Sequence, residues 1–316
     1  MGILQVELFG GVRVTRNAWV TEIQLTRENQ GLLAYLLIQR QRVHSREILA
    51  DLFWGDFSPT RARGSLNTAL WKLKKVLEPK GVPSGTYLKN SHSGEIGFNL
   101  ESPYWLDVQV FEDHVNQVLR QPFETVDEPA ATELEKVLRL YKGELLEGIY
   151  KDWALRERER LRGLYVKGLI YLMHYHGFHQ AFPAAIDYGQ QVLDLDPLRE
   201  EIHREIMRFY LENGQRTLAL RQYETCRSTL QKELGIPPME DVRMLYAQII
   251  AACKTTDPVA MSSVHGTNVG EVLRQLQAAT QSLDLAKEQI QHAYRLISAH
   301  ADQSKSPRAK RPTQKR

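Results

Sequence analysis

Cysteine is nearly absent from this chain. Cys226 and Cys253 are the only two in 316 residues, far apart and without CxxC or metal-ligand spacing. A disulfide framework and a thiolate metal site are excluded, and the pair reads as buried thiols in a reducing cytoplasm. No run approaches the roughly 18 consecutive apolar residues that a membrane-spanning helix needs, so no membrane partner is expected. The opening MGILQVELFG lacks a positive n-region and a small-residue cleavage site, and Val6 stands where a myristoylation signal needs Ser or Thr. Neither a secretory leader nor a lipid anchor is expected. Catalytic signatures are missing too: no GxxxxGK followed by Ser or Thr, no GxSxG and no HExxH occurs. His174, His176 and His179 cluster in MHYHGFH, but Gly177 interrupts them and no carboxylate follows at ligand spacing. They read as structural or solvent-facing histidines. No metal, cofactor or enzymatic activity is expected.

What remains is an ordinary globular composition, 42% hydrophobic and 25% charged, with a length that suggests about two domains. The net charge of +3 hides a pattern. Residues 1–100 hold 13 Lys+Arg against 8 Asp+Glu, residues 101–253 hold 18 against 25, and residues 254–316 hold 10 against 5. The ends are basic and the middle is acidic, so polyanion binding belongs to the ends.

The basic character concentrates in residues 59–78, PTRARGSLNTALWKLKKVLE. Ala62, Leu66, Ala69, Leu70, Leu73, Val76 and Leu77 recur at steps of three and four, one apolar stripe of a helix. Arg61, Ser65, Thr68, Trp71, Lys72 and Lys75 occupy the other face, free of carboxylates until Glu78. Such a face suits the major groove, where an inserted helix meets phosphates and base edges together. A solvated surface helix is the plain alternative, and its neighbours decide between the two.

Before this helix, ILQVEL alternates up to Gly10-Gly11 and VRV follows, a short antiparallel meander. Thr26 starts a helix with Leu32, Leu33, Leu36 and Leu37 inward, ending near Gln41. Ser45 caps REILADLFW, whose Leu49, Leu52 and Phe53 face inward. After Pro79 come TYLKN and EIGFNL, joined by SHSG with Gly94 free to take a positive φ. Strands, three helices and a hairpin make the order of a winged helix-turn-helix, with the third helix as reader and the hairpin as wing. Arg63 and Asn67 join the reader set, and Lys89, Asn90, Ser91 and His92 lie at the wing.

From Tyr104 a new helix is expected, with Asp107 as N-cap and Val108, Phe111 and Val115 in its stripe. An acidic linker, QPFETVDEPAA, leads to TELEKVLRLYKGELLEG. Then helices follow one another over 153–177, 180–194, 198–213, 216–234 and 238–252, broken by Gly and Pro. A weak repeat of about 34 residues, with Ala185 and Ala219 at equivalent small positions, points to tetratricopeptide-like stacking. Residues 254–268 read as a linker. Over 269–300, Val269, Leu276, Leu283, Ile290 and Ile297 take the a positions of a heptad, with Val272 and alanines at d. This seam fits pairing between chains or back onto the protein; self-association, as a homodimer or higher homo-oligomer, is the favoured reading, through Val272, Leu276, Leu283, Ile290 and Ile297. Residues 301–316 form a basic tail, disordered by composition. The fold expected is mainly α: an α+β winged helix over 1–101, an all-α repeat domain over 102–253 and a C-terminal amphipathic, coiled-coil-type helix.

The first half resembles the OmpR-type winged helix of the SARP family (Streptomyces antibiotic regulatory protein type). The resemblance rests on the Leu-rich first helix, Val43, Leu49 through Trp54, and Leu66, Leu70, Leu73 and Leu77 along the third helix. The family's GY-x-L wing strand stands here as Gly85-Thr86-Tyr87-Leu88, one residue longer, and Lys72-Leu73-Lys74-Lys75 replaces a frequent Leu-Arg pair. The second half is similar to the bacterial transcriptional activator domain of the same family, through YKGELLEG, Pro197-Leu198, Tyr210, Gly214, Ala219-Leu220, Tyr223 and the run Glu233 to Pro238. Gly189, where an aromatic is usual, departs from the pattern. The resemblance implies a DNA-binding transcriptional activator acting on double-stranded DNA and RNA polymerase, with Asp56 and Phe57 in the polymerase-contacting loop. The rival reading is a helical-repeat interaction or ligand-sensing module whose winged helix binds protein.

Overall fold

Leu4, Val6 and Leu8 alternate inward and are fully buried, which makes β1 (Leu4–Glu7) the centre of a three-stranded sheet. The computed structural model describes residues 2–16, 25–91 and 94–254. β2 (Arg13–Arg16) runs antiparallel to β1, with Val6 opposite Val14. The other edge of β1 takes β5 (Tyr104–Leu106) in parallel, Val6 opposite Leu106. The expected helix therefore does not begin at Tyr104. An open strand edge recruits the two β-formers Tyr104 and Trp105 with Leu106 instead, and pairing overrides the local helical pattern. Leu106 is the N-cap of α4 (Asp107–Val118), and Asp107 is its first residue. The Asp107 carboxylate accepts from the backbone N–H of Leu8 at 2.8 Å, Phe9 at 3.0 Å and Val108 at 2.7 Å.

Between the outer strands lie α1 (Arg27–Ile38), α2 (Arg46–Trp54) and α3 (Pro59–Leu77). The Leu32, Leu33, Leu36 and Leu37 quartet of α1 is fully buried. Ser45 caps α2 by accepting from the N–H of Glu47 at 3.2 Å. Pro59 sits in the first turn of α3, where its missing N–H costs nothing. β3 (Leu88–Asn90) and β4 (Ile96–Phe98) close the wing hairpin through Gly94 at φ +82°. The wing is bound to the rest of the domain by its backbone and by Glu78. His44 bridges Ile96 through the backbone, and the Glu78 carboxylate accepts from Gly85, Tyr87 and Leu88 N–H at 2.9, 2.8 and 3.2 Å.

The remaining described elements are helical. They are α5 (Glu128–Leu138), α6 (Asp152–Phe178), α7 (Phe182–Leu195), α8 (Glu200–Glu212), α9 (Arg216–Glu233) and α10 (Glu240–Lys254). α6 runs through Gly177 rather than breaking there; the turn falls at Gln180, at φ +59°. α6 packs on α7, α7 on α8 and α8 on α9, and Gly189 lets α7 and α8 close up. A Cβ there would lie 2.8 Å from Cγ1 of Ile206 on α8, so the usual aromatic would not fit. Residues 139–151 are irregular and join the two halves. Leu146 N–H donates to Leu8 O at 2.9 Å and Glu147 N–H to Gly10 O at 3.0 Å. The buried Arg158 guanidinium donates to the carbonyls of Leu145, Leu146 and Ile149 at 3.0, 3.0 and 3.3 Å. Trp153, at the start of α6, packs its ring 5.1 Å from Tyr35 on α1. Residues 1–249 form one compact unit, and one core runs from Leu4 to Phe209. Cys226 is buried, and burial pushes its thiol up to about 12. No helix among the described residues is long and apolar enough to cross a membrane.

Candidate nucleic-acid interface

Packing fixes which side of α3 meets solvent. Ala62, Leu66, Ala69, Leu70, Leu73 and Leu77 are buried, leaving Arg61, Arg63, Asn67, Thr68, Trp71, Lys72 and Lys75 exposed and Ser65 half-buried. Trp71 stands outside the core. It is 61% exposed, with the Lys75 ammonium 5.2 Å from its ring centroid. Arg61 stacks on Phe57 at 4.5 Å, so this residue of the α2–α3 loop supports α3. Phe57 remains 42% exposed, and Asp56 beside it is also exposed.

The candidate residues divide into two flanks and a wing. On one flank Arg61, Ser65, Thr68 and Lys72 line a concavity of about 520 Å³ with Thr26, Asn29 and Trp54; Glu28 is its one carboxylate. The Thr68 hydroxyl donates to Gly64 O at 3.0 Å, leaving its oxygen able to accept. On the other flank Arg63 faces Glu47 at 3.8 Å, and Asn67 accepts from Arg46 at 2.8 Å. The Ser45 hydroxyl holds the Glu47 carboxyl below the usual carboxylate range, so it stays anionic beside Arg63. On the wing, Lys89 pairs with Glu101 at 3.0 Å and Asn90 is exposed opposite Ile96. Ser91 closes the hairpin: its N–H donates to Glu95 O at 2.9 Å, and its hydroxyl accepts from the Glu95 N–H at 3.2 Å. His92 lies outside the described residues, as do Val272, Leu276, Leu283, Ile290 and Ile297.

Among the described residues Arg61, Lys72 and Lys75 form no ion pair, in contrast to Arg63 and Lys89. They face outward with no carboxylate within 4 Å among the described residues. His44, beneath the wing, is pushed down by burial and adds no positive charge there. Two residues outside the sequence-derived set hold the parts together. Glu78 ties the wing to the end of α3, and Arg46 joins α2, α3 and the wing turn, donating also to Gly94 O at 2.9 Å. The signal for Arg46 was its place beside the Ser45 cap; its partners lie in other elements. No three His, Cys, Asp or Glu converge as metal ligands among the described residues. His176 instead binds Glu135 at 2.9 Å and stacks on Tyr188.

A winged helix with a cationic third helix is thus fused to stacked helix pairs. Residues 106–250 match the bacterial transcriptional activator domain family. Along most of its length the chain is similar to known bacterial transcriptional regulators. It is 24% identical over 268 residues to transcriptional regulatory protein MoaR1 of Mycobacterium bovis (strain BCG), covering 82% of this chain and 83% of that one. It is 31% identical over 238 residues to transcriptional regulator RedD of Streptomyces coelicolor, covering 72% of this chain and 64% of that one. Among solved structures it is similar to Mycobacterium tuberculosis EmbR in complex with a low-affinity phosphopeptide. The TM-score is 0.67 at 19% identity, over 90% of this chain and 71% of that one, a likeness of fold.

Proposed function

We propose that this regulator is a sequence-specific transcriptional activator that lays α3 in the major groove of double-stranded DNA. One observation carries the reading: Arg61, Lys72 and Lys75 stand on the exposed face of α3 with no carboxylate paired to them among the described residues. Unpaired cations on a protruding helix gain most from phosphates, because no internal partner has to be given up. Thr68, Asn67 and Arg61 would face base edges, Lys72 and Lys75 phosphates, and Trp71 the sugar–phosphate wall. Lys89 to His92 form the wing contact. Asp56 and Phe57 contact RNA polymerase, and residues 269–300 mediate self-association.

The test is the salt dependence of affinity for a promoter fragment. With about five phosphates neutralised, log affinity falls against log salt with a slope of about −4 to −5. Lys72→Ala or Lys75→Ala each lowers the slope by about one. A flat salt response refutes the reading.

A further inference from the structure

We infer that Arg46 sets what Asn67 can read. The inference rests on the proposed DNA interface and goes beyond it, since Arg46 belongs to α2 and not to the reader helix. One guanidinium makes both contacts: Nε donates to Gly94 O at 2.9 Å and Nη1 donates to Asn67 Oδ1 at 2.8 Å. Two donors of one rigid plane, each held by a different element, fix the orientation of the side chain. A guanidinium only donates, so the atom of Asn67 facing it is the carbonyl oxygen. The Asn67 amide nitrogen is then the group left to turn outward from an exposed position on α3.

The consequence concerns base choice. A free asparagine reads adenine by a bidentate pair, its oxygen accepting from N6 and its nitrogen donating to N7. The oxygen keeps a second lone pair, but Arg46 turns it toward α2 and the wing, so Asn67 presents its N–H donors outward. It meets any major-groove acceptor, such as N7 or O6 of guanine, N7 of adenine or O4 of thymine, and cannot single out adenine. Arg46 is thus a positioning residue that broadens recognition at one base pair, and the wing turn that anchors it takes part through Gly94.

Binding-site selection from random-sequence duplex DNA tests this on the full chain, with wild type, Arg46→Ala, Arg46→Lys and Arg46→Lys/Asn67→Ala. Lysine keeps the charge and gives up the planar fork, so Arg46→Lys separates positioning from phosphate attraction. The expected result is a wild-type motif with a degenerate position. That position becomes adenine-selective in Arg46→Lys by roughly 5- to 150-fold, the range of a bidentate amide–adenine pair. Asn67→Ala on that background removes the gain, and the rest of the motif is unchanged. If Arg46→Lys selects the wild-type motif, or Arg46→Ala only weakens all sequences uniformly, Arg46 is a charge contact and the inference is overturned. If wild type enriches no motif, the DNA-reading proposal itself falls, an outcome distinct from either.

Discussion

Asp107 is where the winged helix and the activator domain are sewn together, and its removal tests that junction quantitatively. Its carboxylate is 2% exposed and accepts three backbone N–H groups, two from the end of β1 and one from α4. Asp107→Ala strands three buried donors. At about 1–3 kcal/mol each, partly relieved by local relaxation, the loss is about 3–6 kcal/mol, a large part of the roughly 5–15 kcal/mol that holds a domain together. Asp107→Asn keeps one acceptor and costs about 1–3 kcal/mol. The pH dependence follows from burial, which pushes the Asp107 carboxyl up to about 6 against the lowering effect of its N–H partners. A folded value above the unfolded 3.8 means stability fully present below 3.8 and lost as pH rises through about 6. A rise of that size is worth about 3 kcal/mol. Asparagine does not titrate, so the gap between wild type and Asp107→Asn narrows from pH 4 to pH 7. Urea melts followed by far-UV circular dichroism at both ends of that range measure it. A gap that widens with pH would mean that the N–H groups outweigh burial. Asp107→Ala melting within about 1 kcal/mol of wild type would refute the junction argument altogether.

Two further outcomes follow from packing. Arg158→Met takes the shared donor from the carbonyls of Leu145, Leu146 and Ile149, of which Leu146 O keeps the Ile149 N–H; a loss of about 2–5 kcal/mol is expected by urea melting, and an unchanged midpoint would contradict the role given to residues 139–151. Gly189→Leu forces a side chain into the space held by Ile206; overpacking should cost about 1–3 kcal/mol or more, and a stabilised variant would show that α7 and α8 can separate at little cost.

The sequence carried the elements whose cause is local. The third helix, read as 59–78, spans Pro59–Leu77, because its stripe, its leading proline and its terminating Pro79 all lie within the segment. The strand Tyr104–Leu106 escaped because its partner, β1, lies at the other end of the domain. Residues 139–151 resisted for the same reason: their shape comes from Arg158 and from the end of β1. The candidate interface divides in the same way. Which residues face outward on α3 follows from periodicity. That Arg63 meets Glu47, that Lys89 meets Glu101 and that Asn67 is held by Arg46 depends on charges from other elements, which no spacing within one helix encodes.

The central claim is that the outward face of α3 reads DNA sequence. Its most direct measurement is selection from random-sequence duplex DNA by the full chain, set beside Arg61→Ala/Lys72→Ala with its fold checked by circular dichroism. The wild type should enrich one recurring motif and the folded double variant should enrich none. The same motif from both proteins, or no motif from the wild type, would contradict the account.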